Sequence, residues 1–279
     1  MKCYDCPRNC GTDREISLGF CQEANKIRVA KVIENFMWEE PCISGDKGAL
    51  AIFFSGCNLK CSFCQNRSIS HKGKGTCYSP AEFGKFLLSF DLSKFSCIDL
   101  VTPTHFSTLL FDAFEGLNLP IPIVWNSSCY EKTEIIDKIS KFVDVFLPDL
   151  KFFDDKLSQN VALAENYFSV ASKALIAMRK NKPENIFFNN ILQQGVLIRH
   201  LILPDHAKDS FKILDFIKEN IKQPFISLMS QFIPVGNQFS RKIYPLEYKS
   251  VVAHAEKLGL TDGFVQEFES ADDKFVPEF

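Results

Sequence analysis

Eight of the eleven cysteines in this 279-residue chain fall within its first 64 positions, at Cys3, Cys6, Cys10, Cys21, Cys42, Cys57, Cys61 and Cys64; only Cys77, Cys97 and Cys129 follow. An odd total, thinly spread over a chain of this length, does not build the disulfide framework of a small secreted domain. Reduced thiols gathered as metal ligands fit better. The opening stretch MKCYDCPRNCGTDRE places charges and cysteines where a signal peptide needs an apolar segment. No run approaches the ~18 apolar residues of a membrane span. The expectation is a cytoplasmic protein whose N-terminal quarter holds metal. With 32 Lys and Arg against 34 Asp and Glu, the net charge of -2 gives no bulk attraction to nucleic acid or to an anionic membrane, so neither is expected as a partner. The 46% apolar content suffices for a full core, and the 28 phenylalanines are read as aromatic core.

The rest of the chain alternates two kinds of segment. Near-continuously apolar runs at 49–55, 97–102, 121–126, 143–147, 196–203 and 225–231 have the pattern of strands buried on both faces. Amphipathic stretches lie between or after them, at 79–90, 106–114, 133–142, 164–178, 210–221 and 246–258. In the first, Ser79 and Glu82 form a capping-box pattern, Pro80 takes the first helical position, and Phe83, Phe86, Leu87 and Phe90 share a face. Strands alternating with helices imply a parallel sheet. The fold class expected is α/β, a partial (βα)6 TIM-like barrel with a Cys-rich N-terminal extension; a doubly wound sheet is the second choice. Either places ligands at the carboxyl ends of the strands. Residues 1–45 stand outside the alternation as a metal-binding extension, 46–270 form the barrel, and 271–279 an acidic tail. The stretch 181–194 reads as a polar insertion, and the end of the chain from 262 onward as loosely ordered unless Phe264 and Phe268 pack down.

Directly after the first apolar run comes SGCNLKCSFCQN, with Cys57, Cys61 and Cys64 spaced x3 then x2. Three soft thiolates this close can hold three corners of an iron–sulfur cluster, and the missing fourth ligand marks an open site. A redox dithiol leaves Cys57 unexplained. A zinc knuckle would need a distant His, and the spacing differs from that of plant-type ferredoxins by one residue. Further upstream, Cys3, Cys6, Cys10 and Cys21 supply four thiols with Pro7, Gly11 and Gly19 for tight turns, suited to a closed zinc site or to a second cluster.

The C-x3-C-x2-C motif, with aromatic Phe63 before its last cysteine and a strand before its first, resembles the radical S-adenosylmethionine (SAM) superfamily. The segments VTPTH, VDVFLPDLK, RHLILP and LMSQFIP are similar to an uncharacterised branch near the pyruvate formate-lyase activating enzymes. The resemblance implies a [4Fe-4S] cluster on Cys57, Cys61 and Cys64, SAM on the open iron, and reductive cleavage to a 5′-deoxyadenosyl radical that abstracts hydrogen. The target is a backbone glycine in the activating enzymes, or else another peptide or a small molecule; the alternative from a different class is a non-catalytic iron–sulfur protein used for electron transfer. A glycyl-radical enzyme as substrate and a flavodoxin- or ferredoxin-type electron donor are the partners implied. No side chain is assigned as catalytic, because the radical comes from the cofactor. Where the superfamily has a Gly-Gly-Glu stretch this chain has Thr102-Pro103-Thr104-His105, so only position carries over, to Thr102 and Thr104. Asn126, at a strand end, suits a polar contact to SAM. Asp149 and Lys151 match the Asp-x-Lys pair of the activating enzymes and share one side of an extended segment. Arg199 interrupts an apolar strand and needs a partner, either the SAM carboxylate or an acid on a neighbouring strand. His105, Met229 and Gln231 lie at the same rim, Cys129 reads as a small buried residue, and Glu39-Glu40-Pro41-Cys42 is a candidate to approach the main cluster without entering the ligand set.

Overall fold

The computed structural model describes residues 2–235 and 238–268. Its strands are β1 (Ile27–Phe36), β2 (Ala49–Phe54), β3 (Thr76–Tyr78), β4 (Ile98–Val101), β5 (Ile123–Ser127), β6 (Val145–Pro148), β7 (Ile186–Phe188), β8 (Ile191–Leu201), β9 (Phe225–Met229) and β10 (Gly263–Val265). The helices are α1 (Pro41–Ser44), α2 (Arg67–Ser70), α3 (Pro80–Leu88), α4 (Ser107–Phe114), α5 (Thr133–Ile139), α6 (Asp155–Ala162), α7 (Tyr167–Asn181), α8 (Ala207–Asn220) and α9 (Pro245–Lys257). None is long and apolar enough to cross a membrane.

The sheet runs β10-β9-β8-β6-β5-β4-β2-β1-β3, with β7 added to β8. Pairing from β2 to β10 is parallel, as the continuously apolar strands require, while β1 is antiparallel to β2 and β3. The two ends of this order do not pair among the described residues, so the barrel is partial. Alternation along each strand separates two cores. Leu50, Ile52, Phe54, Leu100, Trp125 and Phe146 point outward to the helices. Ala49, Ala51, Cys97, Val124, Val145 and Leu197 point inward, where smaller side chains fill the narrow interior. The phenylalanines do form an aromatic core: Phe54 meets Phe83 and Phe106 at 5.9 and 5.8 Å, and Phe114 stacks on Phe142 at 4.6 Å.

Two segments differ from expectation. Ile27–Phe36, within the extension drawn as 1–45, is a strand of the sheet, so the sheet begins well before residue 46. The insertion at 181–194 is a β-hairpin in which Asn189 and Asn190, at φ 48° and 63°, make the two-residue turn between β7 and an extended β8. Phe264 and Phe268 pack against the core, and Gly263–Val265 joins the sheet. The tail 271–279 lies outside the described residues.

The capping box of α3 forms as its sequence predicts: Ser79 N donates to Glu82 Oε2 at 2.7 Å and Glu82 N to Ser79 Oγ at 3.3 Å. Ser79→Ala should lower stability by about 1 kcal/mol, read as a shift in the urea midpoint at constant slope.

Candidate functional site

The loop that follows β2 carries the three motif cysteines, and the surrounding backbone fixes it on two sides. Lys60 N and Ser62 N donate to the carbonyls of Ala162 and Val161, at 3.0 and 2.8 Å, at the end of α6. On the other side, Arg8 Nε donates to Asn58 O at 2.7 Å, and Asn58 Nδ2 to Tyr130 O at 2.7 Å. Gly56 enters the loop at φ 75°, and a Cβ there would stand 2.5 Å from the carbonyl oxygen of Cys21. Only glycine permits both the turn and that contact.

Cys57, Cys61 and Cys64 all line one cavity of about 230 Å³ at the carboxyl ends of the strands. Leu59 N donates to Cys57 Sγ at 3.3 Å, a contact that favours a thiolate. Burial pushes the Cys57 thiol up to about 11 and that of Cys61 higher, although Lys151 opposes the shift at Cys61. A bound cation would supply what deprotonation needs here, because metal ligation releases the thiol proton. Among the described residues no group of three His, Cys, Asp or Glu is placed to hold a single metal ion. A four-iron cluster makes a different demand, each thiolate binding its own iron. Phe63 packs against Phe152, Phe232 and Phe239 at centroid distances of 6.2, 5.7 and 5.8 Å, forming an apolar wall beside the thiols.

The opposite wall is charged. The Arg199 guanidinium donates from Nε to Asp149 Oδ1 at 2.7 Å, from Nη1 to Glu39 Oε2 at 2.5 Å, and from Nη2 to Asn126 Oδ1 at 2.6 Å. Lys151 Nζ donates to the other Asp149 oxygen at 2.7 Å. Asn126 Nδ2 in turn reaches Glu39 at 3.2 Å and the buried Asp99 at 3.4 Å. Though burial opposes it, the two cations hold the Asp149 carboxyl below its usual range. Burial dominates elsewhere, raising Asp99 to about 7 and Glu39 well above the usual carboxylate range despite Arg199.

Phe63, Thr102, Asn126, Asp149, Lys151 and Arg199 therefore meet the three motif cysteines in one cavity, as do Met229 and Gln231. Thr104 does not join them. Its hydroxyl turns away to donate to Glu131 Oε1 at 2.7 Å, a carboxylate that also accepts from Trp125 Nε1. His105 is buried behind the loop, with Nε2 at 2.7 Å from Ser55 O, and burial lowers its pKa to about 3. Cys129 is buried at φ 60°, in the conformation glycine favours. Arg199 has the neighbouring-strand acid that its position demands. Sequence reasoning missed Asp99, and placed Glu39 only within a segment that could approach the cluster, not as a partner of Arg199. A lone acid inside the run CIDLVT carried the same signal as Arg199 and could have revealed Asp99.

No family model matches the chain. It is 28% identical over 256 residues to Uncharacterized protein MJ0674 of Methanocaldococcus jannaschii, covering 87% of this chain and 68% of that protein. The structure resembles a radical SAM methyltransferase from Sphaerobacter thermophilus with a TM-score of 0.55 and 12% identity, over 77% of this chain and 65% of the other. A domain of pyruvate-formate lyase-activating enzyme from Bacteroides vulgatus aligns over 53% of this chain and 82% of its own, with a TM-score of 0.39 and 14% identity. The methyltransferase likeness is one of fold, and it extends over most of the partial α/β barrel described above.

The raised carboxyls set a pH dependence. Folded Asp99 keeps its proton up to about 7, whereas the unfolded chain releases it near the ordinary 3.8, so its contribution to stability falls as pH rises between those values. Glu39 adds a slope of the same sign. Asp99→Asn should flatten the decline, since it removes one titration and relieves Glu39 of a like charge; urea midpoints at pH 5, 6 and 7 measure it.

Proposed function

We infer that this protein is a radical SAM enzyme in which Cys57, Cys61 and Cys64 hold a [4Fe-4S] cluster. The observation that carries this reading is the convergence of three thiols from one C-x3-C-x2-C loop with Asn126, Asp149 and Lys151 on a single cavity at the strand ends of this barrel. The donor set fits: three soft ligands, with no fourth cysteine among the described residues lining the cavity, leave one iron open to SAM. Bound there, cluster and SAM would supply reductive cleavage to methionine and a 5′-deoxyadenosyl radical competent for hydrogen abstraction.

The chain's own residues have simpler tasks. The loop anchors at Asn58, Lys60 and Ser62 hold the thiols in place, and the Phe63 wall excludes water from that side. Three of the five Arg199 N–H groups are engaged by protein acceptors, so Arg199 orients Asp149 and Asn126. Lys151, held by Asp149 and interacting with Cys61, is the ammonium group on the cluster side of the cavity.

Within this chemistry we take the substrate to be a backbone glycine of a glycyl-radical enzyme, supported by the Asp149-x-Lys151 pair and by Trp38, partly exposed at the cavity rim. The electron donor is then of flavodoxin or ferredoxin type. Eleven cysteines without a disulfide suit a reducing compartment such as the cytoplasm.

After anaerobic reconstitution with iron and sulfide, dithionite-reduced protein should form 5′-deoxyadenosine from SAM, and Cys61→Ala should abolish the product. Absence of product, with no change in the EPR signal on adding SAM, would sink the reading. An EPR glycyl radical arising in an added glycyl-radical enzyme tests the substrate; continued 5′-deoxyadenosine formation without it points to another hydrogen donor.

A further inference from the structure

The cavity chemistry leaves unused the four cysteines at the N-terminus, and the structure brings them together. Cys3 N donates to Thr12 O at 2.9 Å and Gly11 N returns to Cys3 O at 3.2 Å, which folds the segment back on itself around Cys6 and Cys10. A second turn, closed by Gln22 N to Gly19 O at 2.9 Å, presents Cys21. All four cysteines line one small cavity. Gly19 lies against it: a Cβ there would stand 3.3 Å from Cys21 Sγ and 3.7 Å from Cys10 Sγ, so glycine keeps that space clear.

A second, independent observation concerns what holds this segment in shape. Between residues 2 and 24 the buried positions are Cys6, Arg14, Gly19, Cys21 and Glu23, with no aliphatic or aromatic side chain among them. Ile16 is 85% exposed, Leu18 54% and Tyr4 50%. A segment that builds no apolar core of its own needs another staple, and the thiols form no disulfide. Bound metal is the staple that four gathered thiols can supply. Zinc draws four sulfurs to about 2.3 Å from one point, and no three described side chains are so disposed. A cluster takes one thiolate at each of four irons and so does not require the sulfurs to meet at one point.

The two thiol sets also share a wall. Asn58 lines the small cavity while its chain neighbour Cys57 lines the large one, and the carbonyl of Cys21 abuts Gly56. Cationic side chains stand between them: Arg8 interacts with Cys6 on one side and with Cys57 and Cys61 on the other, and Lys60 with Cys21, Cys57 and Cys64. Two anionic thiolate-bound centres placed side by side, one with three cysteines and one with four, need such intervening charge.

We propose that Cys3, Cys6, Cys10 and Cys21 ligate a second [4Fe-4S] cluster, seated against the loop that carries Cys57. The proposal rests on the reading of Cys57, Cys61 and Cys64 as the first cluster site only for its claim of adjacency; the ligand set stands alone. It places a second one-electron carrier beside the first and gives the N-terminal segment the core its sequence lacks.

Anaerobic reconstitution followed by iron, sulfide and zinc analysis tests it. Wild-type protein should take up about eight irons, and two variants about four each: the triple replacement of Cys57, Cys61 and Cys64 by Ala, and the double replacement of Cys6 and Cys21 by Ser. The triple variant leaves the N-terminal segment intact, so it decides the matter even if the double variant fails to fold. A triple variant that binds one zinc, or no metal, overturns the second cluster while four irons in the wild type keep the first. Four irons in the triple variant and four in the wild type would sink the first site and retain the second. The reduced wild type should show EPR lines broadened by coupling between the clusters; a spectrum equal to the sum of the two single-site variants overturns the adjacency.

Discussion

Arg199 is the charge around which the interior is arranged. A guanidinium on the inner face of a parallel barrel has lost most of its water, and a charge so placed is stable only if the protein returns equivalent hydrogen bonds. Here the return comes from three separate parts of the chain. Asp149 follows β6, Asn126 lies in β5, and Glu39 follows β1, 160 positions before its partner. The last contact matters most for architecture, because it pins the segment leaving the antiparallel strand β1 across the strand ends of the parallel sheet.

The same contact concentrates acid. Glu39, Glu40, Asp99 and Asp149 face two cations, Arg199 and Lys151. Full ionisation would leave a net negative charge inside the barrel. Asp149, bonded to both cations, retains its charge, whereas Glu39 and Asp99 hold protons far above the usual carboxylate range. Protonation rather than an extra counterion thus brings the interior toward neutrality. The arrangement also explains why Arg199 is better understood as a positioning group than as a free anion clamp, and why Lys151 is the cation turned toward the thiols.

The parallel strands, the longer helices and the motif loop were legible because each depends on local pattern: unbroken apolar runs, a capping box, and three cysteines within eight residues. Strand β1 escaped for a physical reason. Its pairing with β2 slips between Val29 and Lys31 and again between Ile33 and Phe36, and such irregularities break the two-residue period on which recognition of a half-buried strand relies. The β7–β8 hairpin turns on Asn189-Asn190, whose left-handed geometry was readable in principle but was lost in a polar stretch. Thr104 was misplaced because being near a strand end does not fix which way a side chain turns; Glu131, buried without other cationic support, captured its hydroxyl. Glu39 was readable as part of a segment near the cluster, but its pairing with Arg199 was not. Its role exists only through a partner far along the chain.

A loop at the end of a barrel strand is ordinarily the mobile part of the structure. The motif loop is the reverse, and the reason lies on its two flanks. One is the end of α6, whose free carbonyls at Val161 and Ala162 accept from Ser62 and Lys60, using helix-terminal groups that would otherwise face water. The other is the N-terminal segment, where Arg8 holds Asn58 and the carbonyl of Cys21 crowds Gly56. Arg14 extends that flank inward, donating to the carbonyl of His105 at 2.7 Å while the His105 ring meets Ser55 at the start of the loop. The position of the three motif thiols therefore depends in part on a segment with no apolar core of its own, so the set of the loop is tied to how firmly the four N-terminal cysteines hold that segment.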